Sequence, residues 1–490
     1  MSNIRITDNH EFISLDSQTD SRYWHDIIDT NAIDDLRLVA NVQIGNLKIQ
    51  DHPNLLVFPK DLHQNGDEIS ESHIISMKDD MISTGNIMGF VGVNDTQLDI
   101  KSRFAQKDGE DYFLHYMLQK VFAINLFDIK HTTNEQQIFD FLLYLFPYYL
   151  KKALAQGLFK KYRRFEHNDA NIRGPINISR HIRENIPFRG TVAYTTREHS
   201  YDNEITQLVR HTIEYIRTSK FGSGILNNDT ETKECISQIV MATQSYNARE
   251  RQKVINQNLR PIRHPYYSEY TPLQKICLQI LRHESLKYGH EKDKIYGILF
   301  DGAWLWEEYL NKIFIEHKLD ITHAENKTGK NGIQLYKGSN KYFPDFYRKT
   351  KDDNIGDLSL VLDAKYKRLG KNSAIDEQNG TNNVSISRDD LFQMITYLHV
   401  LPAKKCALIY PIEPNETSNS EIVVSSSREL YGLGGEIYGI GLRIPTVLSG
   451  QKYSDFCMTM NGGNSTTGIE KSLIETLKKW NNKTNKASQL

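Results

Sequence analysis

The stretch PDFYRKTKDDNIGDLSLVLDAKYKRL, from Pro344 to Leu369, carries charged residues within an otherwise apolar strand pattern. LSLVLDAKYK predicts a strand, and because side chains alternate across a strand, Asp363 and Lys365 share one face. The polar segment from Thr350 to Asp357 predicts a hairpin loop that returns the chain antiparallel and brings Asp345 beside Asp363. Since burying an unpaired carboxylate or ammonium is costly, the sequence predicts that these charges converge on one site.

Two carboxylates and a lysine at one place suit a divalent ion and a phosphate. Mg²⁺ is commonly held by one or two carboxylates together with water and substrate phosphate oxygens. We therefore expect Asp345 and Asp363 to bind Mg²⁺, with Mn²⁺ able to replace it. Lys365 is expected to orient or help deprotonate the attacking water and to stabilise the charged phosphorane-like state. The alternative is a salt-bridged hairpin without catalysis.

The two flanking helices offer further candidate residues. In GAWLWEEYLNKIF, Glu307 and Glu308 interrupt an apolar helix, and Glu307 is the predicted third metal ligand, although adjacent glutamates usually face solvent. RDDLFQMITYLHVL predicts a later helix with Ser387 as N-cap. Gln393 and Tyr397 lie on one face of it. Their amide and phenol are expected to hold a site carboxylate, the lysine or a DNA phosphate.

These motifs carry a resemblance to known families. P-D at Pro344-Asp345, D-A-K at Asp363 to Lys365 and Q-x-x-x-Y at Gln393 to Tyr397 resemble the PD-(D/E)xK nuclease superfamily, the last motif being of the type seen in its RecB-like branch. GFVGVNDTQLDIKSRF, GLFKKYRRFEHNDANIRGPINISRHI and AYTTREHSYDNEITQLVRHTIEYI are similar to the McrC family, the nuclease subunit of McrBC-type modification-dependent restriction systems. The similarity extends from about residue 89 to about residue 411.

The resemblance implies a Mg²⁺-dependent endonuclease that cuts double-stranded DNA when coupled to a hexameric AAA+ GTPase (McrB-like) and that stimulates GTP hydrolysis by this partner. The chain contains no G-x-x-x-x-G-K-[ST], so it is not expected to bind the nucleotide itself. Two alternative interpretations stay open. One is a restriction endonuclease that works without a motor, and the other is a non-catalytic assembly or GTPase-activating subunit.

Hydropathy patterns predict an α+β or α/β multidomain protein. We expect a β-rich, partner-docking region over residues 1–105, in which LRLVANVQIGNLKIQ (Leu36–Gln50) forms a hairpin. Residues 106–270 are predicted to be mainly helical, with Thr271 capping the next helix. Residues 271–458 are predicted to form the restriction-endonuclease-like α/β domain, with one long helix over residues 292–317. Residues 459–490 are expected to be a flexible tail.

The most basic neighbourhood of the sequence runs from Lys151 to Arg189. Such a patch suits DNA phosphates. Its alternatives are a solvated basic face or a face that docks on an acidic partner. The predicted phosphate contacts are Lys160, Lys161, Arg163 and Arg164.

Composition limits the remaining possibilities. The net charge of −1 gives no overall basic signature, so a DNA-binding surface must be local. The four cysteines include no C-x-x-C pair, which favours lone buried thiols. The N-terminus lacks a signal-peptide pattern, and the apolar run Ile138–Leu150 is too short to span a bilayer. We therefore expect a cytoplasmic protein without membrane contact.

Overall fold

In this computed structural model the described residues are 2–15, 23–25, 30–46, 55–58, 72–94, 96–105, 111–122, 134–219, 222–227, 229–262, 264–286, 295–324, 331–334, 341–349, 358–366, 387–401, 403–413, 421–424, 428–431, 434–446, 453–463 and 468–482. The chain divides into two compact units. The first unit combines Met1–Ala123 with Lys292–Leu490, and the second unit is Ile124–Glu291.

The N-terminal part of the first unit contains β1 (Ser2–Thr7), β2 (Ile13–Ser14), β3 (Tyr23–His25), α1 (Thr30–Val39), β4 (Leu55–Phe58), β5 (Ile75–Lys78), β6 (Met81–Thr84), β7 (Ile87–Val93), β8 (Thr96–Lys101) and α2 (Tyr112–Phe122). The second unit contains α3 (Asn134–Ala155), β9 (Lys161–Asp169), α4 (Ile178–Asn185), β10 (Val192–Ser200), α5 (Glu204–Thr218), α6 (Gly222–Leu226), α7 (Thr230–Ala242), α8 (Arg251–Gln257) and α9 (Tyr270–Leu286).

The C-terminal part of the first unit contains β11 (Ile295–Asp301), α10 (Gly302–Glu316), β12 (Thr322–His323), β13 (Ile333–Gln334), β14 (Lys341–Tyr342), β15 (Phe346–Lys349), β16 (Leu358–Ala364), α11 (Arg388–Val400), β17 (Lys405–Ile412), β18 (Ile422–Val424), β19 (Arg428–Glu429), β20 (Glu436–Arg443), α12 (Tyr453–Asn461) and α13 (Ile469–Asn482).

The N-terminal sheet has the strand order β3-β1-β8-β7-β11-β4. Strands β7 and β8 pair antiparallel on either side of Asn94, as the sequence predicts. The side chains of Ile4, Ile6, Val91 and Leu98 belong to the buried core of this sheet. A smaller sheet with the order β2-β6-β5 adds Ile75 and Ile82 to the same core.

The prediction of one helix over residues 292–317 is wrong for its first part. Ile295–Asp301 forms strand β11, which pairs antiparallel with β7 and parallel with β4. A β-carbon on Gly297 would lie 2.3 Å from the Phe90 carbonyl oxygen, and one on Gly89 would lie 2.0 Å from the Ile298 carbonyl oxygen. The continuous apolar run fits a helix or a buried strand equally well, and pairing with distant strands decides between them.

The predicted hairpin over Leu36–Gln50 is also wrong in its described part. Helix α1 covers Leu36 to Val39, and residues 47–50 lie outside the described residues. Ala32, Leu36 and Val39 are buried at three- and four-residue spacing, the period of a helix packed on a core. The apolar–polar alternation in this stretch is therefore coincidental.

The C-terminal sheet has the order β12-β15-β16-β17-β20-β18, with β19 also on β20. β15 and β16 pair antiparallel, as predicted, and β16, β17 and β20 are parallel. The loop between β15 and β16 lies outside the described residues. β16 is buried along most of its length, and α10 contacts it, while α11 contacts β17. Parallel strands covered in this way have apolar side chains on both faces.

The chain end is folded where a flexible tail was expected. Residues Ile469–Asn482 form α13, which contacts β18 and β20. Leu473 and Leu477 are buried, and the Trp480 ring lies 4.5 Å from that of Tyr438. An apolar stripe on an otherwise charged helix supplies this contact.

The second unit is mainly helical, as predicted, but it also contains a long hairpin. β9 and β10 pair antiparallel over their full lengths. β9 has little apolar pattern by which it could be predicted, because its residues are polar and largely exposed. Helix α9 begins at Tyr270, so Thr271 is not its N-cap. The Thr271 hydroxyl donates instead to the Ile262 carbonyl oxygen at 2.9 Å.

Two smaller predictions concern the cysteines and the apolar run. All four cysteines are free thiols, and Cys235, Cys277 and Cys406 are buried, as predicted. Among the described helices, none is long and apolar enough to cross a membrane. The run Ile138–Leu150 lies within α3, where Leu145 is buried.

Candidate active site

The antiparallel pairing of β15 with β16 brings Asp345 to the site. Phe346 lies opposite Leu362, so Asp345, one residue before β15, reaches the end of β16. Its Oδ2 accepts a hydrogen bond from the Ala364 backbone N–H at 2.7 Å. This contact confirms the predicted placement of Asp345 beside the D-A-K segment.

Asp363 and Lys365 share one face of the strand end, as alternation predicts. The Lys365 Nζ lies 2.8 Å from the Asp363 Oδ2. Asp363 is 1% exposed. The Lys365 backbone N–H donates to the Ile409 carbonyl oxygen at 2.9 Å, which extends the β16–β17 pairing by one residue. The lysine is thus fixed at both its backbone and its side chain.

Gln393 on α11 connects these two residues. Its Oε1 accepts from the Lys365 Nζ at 2.9 Å, and its Nε2 lies 3.2 Å from the Asp363 Oδ1 and 2.9 Å from the Tyr397 hydroxyl. Ser387 caps the helix by accepting from the Asp390 N–H at 3.2 Å, as predicted. The helix therefore brings both Gln393 and Tyr397 to the strand end.

Glu307 on α10 is partly buried, with 28% of its side chain exposed, and contacts a residue that sequence analysis did not identify. The Glu307 Oε1 is 2.7 Å from the His323 Nε2, and the His323 ring stacks on Phe346 at 5.0 Å. His323 lies on β12, which pairs with β15. Its spacing along the chain gives no sign of this role, because it depends on the β12–β15 pairing.

A further carboxylate near Lys365, that of Asp390, was not identified from the sequence. The Asp390 Oδ1 lies 3.8 Å from the Lys365 Nζ, and Asp390 is buried in the first turn of α11. Its place three residues before Gln393, on the same helical face, is the signal that could have identified it.

The local charges shift the pKa values of the site. Burial, and then the neighbouring Asp363 and Glu307 carboxylates, hold the pKa of Asp345 well above its usual range. Burial also raises the pKa of Asp363, although Lys365 opposes this effect. Burial alone would lower the pKa of Lys365, but the Asp363 and Asp345 carboxylates outweigh it and raise that pKa. Lys365 is therefore an ammonium at neutral pH.

The carboxylates at the end of β16 are the candidate ligands for the predicted metal. Within the described ranges, no group of three or more His, Cys, Asp or Glu side chains is arranged to hold a metal ion by itself. One or two carboxylates with water are nevertheless a common Mg²⁺ shell. The repulsion among Asp345, Asp363 and Glu307 is the kind of unfavourable charge that a divalent cation would relieve. A pair of carboxylates thus fits the ion, whereas a three-carboxylate shell does not.

The predicted phosphate contacts lie apart from these residues in sequence, in the second unit, with Lys160 directly before β9 and Lys161, Arg163 and Arg164 on it. All are exposed, but most already have intramolecular partners. Lys161 pairs with Glu204, Arg163 donates to the Asp202 carbonyl oxygen at 3.1 Å, and the Lys160 ammonium lies 4.9 Å from the Tyr201 ring centroid.

Comparison with known proteins adds a family and a set of solved structures. The family model described as McrBC 5-methylcytosine restriction system component matches residues 82–411, more than half of the chain. A chain from a refined half-complex of the tetradecameric assembly of Thermococcus gammatolerans McrB AAA+ hexamers with bound McrC is 15% identical, with a TM-score of 0.43, covering 93% of this chain and 98% of that chain.

A chain from the Thermococcus gammatolerans McrBC complex is 14% identical, with a TM-score of 0.30, covering 66% of this chain and 89% of that chain. No curated protein matches the sequence.

Proposed function

The chain belongs to the family of McrBC 5-methylcytosine restriction system components, and from this premise we propose that it is the DNA-cleaving subunit of such a system. The observation that carries the proposal is the contact set at the end of β16. Asp345 meets the Ala364 backbone, Lys365 pairs with Asp363, and Gln393 bridges Lys365 and Asp363. A hairpin that served stability alone would not need two buried carboxylates whose pKa values are raised.

We infer that the C-terminal sheet is a PD-(D/E)xK nuclease core. Asp345 and Asp363 would hold Mg²⁺. The Glu307 Oε1 is already hydrogen-bonded to His323. Glu307 would therefore contact the ion through a water molecule or stabilise it by its charge alone. When bound, the ion acidifies a water molecule and neutralises charge on the scissile phosphate. Mn²⁺ is expected to replace Mg²⁺ because both prefer oxygen ligands.

We propose a narrower role for Lys365 than the sequence suggests, namely orienting the attacking water without deprotonating it. Because its pKa is raised, it carries a proton at neutral pH and is a poor general base. As an ammonium it would orient the attacking water and stabilise the extra negative charge on the phosphate. Gln393 would hold the ammonium in place, and the Tyr397 hydroxyl would orient the Gln393 amide.

A partner must supply the energy for DNA translocation, because the sequence has no phosphate-binding loop of the G-x-x-x-x-G-K-[ST] type. The solved relatives from Thermococcus gammatolerans include McrC bound to McrB AAA+ hexamers. We propose that this chain likewise docks on a hexameric AAA+ GTPase and stimulates its GTP hydrolysis.

The second unit offers a docking surface for that partner. Helix α4 and the segments beside it expose a set of large apolar side chains, which are Ile172, Ile176, Ile178, Ile182, Ile186 and Phe188. Exposed large apolar side chains grouped in one segment of the chain are typical of protein–protein contacts and do not bind phosphates. This favours partner docking over DNA contact for this part of the basic neighbourhood. We name it the α4 face.

The test is DNA cleavage with Mg²⁺ and GTP on methylated and unmethylated plasmid, by the chain alone and with a McrB-like AAA+ GTPase from the same source. We expect cleavage only with the partner, GTP and methylated DNA, and its loss in Lys365→Ala. Lys349→Ala, an exposed lysine on the neighbouring strand, is the matched control and should cut normally.

Other outcomes separate the alternatives. Cleavage by the chain alone, indifferent to GTP, would indicate a motor-independent endonuclease. Full cleavage by Lys365→Ala and Asp345→Ala, with GTPase stimulation intact, would indicate a non-catalytic assembly subunit and refute the proposed site.

A further inference from the structure

The hairpin of β9 and β10 brings two arginines together on one of its faces. Arg164 on β9 lies directly opposite Arg197 on β10, and Tyr162 lies opposite His199 on the same face. All four side chains are exposed, and the Tyr162 ring packs against the His199 ring at 3.8 Å. We name this set the Arg164–Arg197 face.

The positive charges of Arg164 and Arg197 are not compensated by the protein. Like charges that lie directly opposite in a cross-strand pair are destabilising, because their β-carbons are only about 4.5–5.5 Å apart. In the part of the chain that the structure describes, neither guanidinium has a hydrogen-bond or ion-pair partner. Glu166, two residues further along β9 on the same face, is already paired with Arg180 at 2.8 Å. The two arginines therefore repel each other unless an anion binds between them.

The other face of the hairpin shows the contrasting pattern. Arg163 lies opposite Glu198 in the strand pairing, and its NH1 is 3.9 Å from the Asp202 Oδ1. Lys161 pairs with Glu204. Cations on this second face have acidic neighbours, so the uncompensated positive charge of the two strands lies on the Arg164–Arg197 face.

The chemistry of this face fits a backbone phosphate. A guanidinium holds a phosphate through two parallel hydrogen bonds, and arginines on adjacent strands are close enough to share one phosphate. Tyrosine hydroxyls also donate to phosphate and sugar oxygens of DNA. The Tyr162 ring already packs on His199, which favours a contact through its hydroxyl over stacking on a base. Duplex DNA presents phosphates at high density and needs no exposed base.

We propose that the Arg164–Arg197 face binds a backbone phosphate of duplex DNA, independently of base sequence. The proposal rests on the DNA-cleaving function proposed above, for which this face would hold the substrate. It assigns DNA contact to the Arg164–Arg197 face and leaves partner docking to the α4 face. Arg197 lies outside the basic neighbourhood of the sequence, and only the pairing of β9 with β10 brings it to Arg164.

The experiment measures binding of the full chain to a fluorescent duplex oligonucleotide by anisotropy, without Mg²⁺, so that cleavage does not interfere. Arg164→Ala combined with Arg197→Ala should weaken binding by about tenfold or more, the effect of a lost charge-assisted contact. The slope of log affinity against log salt concentration, measured from about 50 to 200 mM, should become shallower by about 0.9, the value for one phosphate contact.

The matched control is Lys161→Ala combined with Arg163→Ala. It removes the same charge from the same strand, but from the face on which both cations have acidic neighbours. This control should keep the wild-type salt slope. A general effect of net charge would instead change the two double variants equally.

Arg197→Glu separates binding from folding. It replaces the repulsion between the two arginines with an attraction, so thermal stability should stay the same or rise. DNA binding should nevertheless fall further than in Arg197→Ala, because a carboxylate repels the phosphate. An arginine with a purely structural role would show the reverse, with lower stability and unchanged binding.

Four results would overturn the proposal. They are no duplex binding by the full chain, the same salt slope in wild type and the Arg164→Ala, Arg197→Ala variant, equal losses in that variant and its control, and tighter binding of a single strand that depends on the Tyr162 ring. Normal duplex binding with lost GTPase stimulation in the arginine variant would also overturn it and place this face on the AAA+ partner. Arginine-dependent binding without cleavage under any condition would refute the nuclease proposal alone.

Discussion

Gln393 joins the Asp363 carboxylate and the Lys365 ammonium of the candidate site through one amide group. Its oxygen accepts from Lys365, and its nitrogen donates toward Asp363 and Tyr397. An amide can do this because it carries both an acceptor and two donors. A carboxylate at this position would repel Asp363, and an apolar side chain would leave Lys365 with fewer partners. The need for both an acceptor and donors therefore explains why this position is a glutamine.

Replacing Gln393 with leucine should reduce cleavage with little effect on folding. The ammonium of Lys365 loses one oriented partner, and hydrogen bonds to charged groups are worth about 1.5–3 kcal/mol, so the single-turnover rate should fall by about 10- to 100-fold. The rate would be measured with saturating partner, GTP and Mg²⁺. Thr396→Ala, an exposed position on the same helix, serves as control. A normal rate in Gln393→Leu would show that the bridge has no catalytic importance.

Asp345→Asn should abolish cleavage yet stabilise the metal-free protein at neutral pH. The pKa of Asp345 is raised above its usual value of 3.8 by burial and by Asp363, so the folded state binds its proton more tightly than the unfolded state does. The stabilising effect of that proton is present at low pH and is lost as pH rises through the raised pKa. Removing the carboxylate should raise Tm at pH 8 by about 1–2 °C, the shift that about 1 kcal/mol produces in a unit of this size.

The same scans should be repeated with Mg²⁺, because an ion that binds only the folded state raises Tm. Wild type should gain stability on adding Mg²⁺, and chelation should reverse the gain, whereas Asp345→Asn should not respond. An equal response of both proteins would contradict the assignment of Asp345 as a ligand. This readout does not depend on activity.

At the scale of elements, the segment from β9 to β10, which includes α4, carries a group of exposed large apolar side chains. Ile178 is 69% exposed and Phe188 is 67% exposed, although large apolar side chains are usually inside. Arg180 on the same helix pairs with Glu166 on β9, at 2.8 Å, and with Glu184. The helix is therefore fixed to the hairpin by its charged face, which leaves its apolar face outward.

Ile178→Asp should weaken docking on the AAA+ partner while leaving thermal stability unchanged. An exposed position contributes little to folding, but a carboxylate in an apolar contact must lose its water. We expect GTPase stimulation to need about tenfold more of the variant protein. The control is Met241→Asp, which changes an equally exposed apolar residue on α7, away from the α4 face. Equal stimulation by wild type and Ile178→Asp would remove the α4 face from the interface.

At the scale of the whole molecule, the chain leaves the first unit, forms the second unit and returns. Strand β11 is the first described element after the return, and it inserts between β7 and β4. Helix α10 follows without a break, with Asp301 as its N-cap, and carries Glu307. The N-terminal sheet therefore fixes the start of the helix that reaches the candidate site.

Gly297→Ala should destabilise this junction. A β-carbon would approach the Phe90 carbonyl oxygen to 2.3 Å, and the φ of +156° at Gly297 is unfavourable for alanine. Overpacking and backbone strain together predict a loss of about 2 kcal/mol or more in the free energy of unfolding. Guanidinium denaturation measures it. Gly85→Ala, whose β-carbon would meet nothing within 4 Å, is the control. Equal stability of the two variants would contradict the close β7–β11 approach.

The candidate site was more predictable than the segments around it. Asp345, Asp363, Lys365, Gln393 and Tyr397 could be grouped from sequence, because strand alternation and helical spacing place side chains by local geometry. His323 and the pairing of β11 could not, because both depend on contacts between distant segments. The hairpin of the second unit was missed for a different reason, since β9 is polar and largely exposed and β10 is buried only over its first half.

The sequence by itself determined which residues share a strand or helix face, where the Ser387 cap and the β7–β8 turn fall, and which chemistry the D-A-K segment favours. These features depend on side chains within a few residues of each other, for which backbone geometry is decisive. Tertiary structure alone decided that the chain ends form one unit, that Glu307 pairs with His323 and that Arg164 lies opposite Arg197. Each of these requires packing between segments far apart in sequence, where many pairings satisfy the same local pattern and only burial of the whole core selects one.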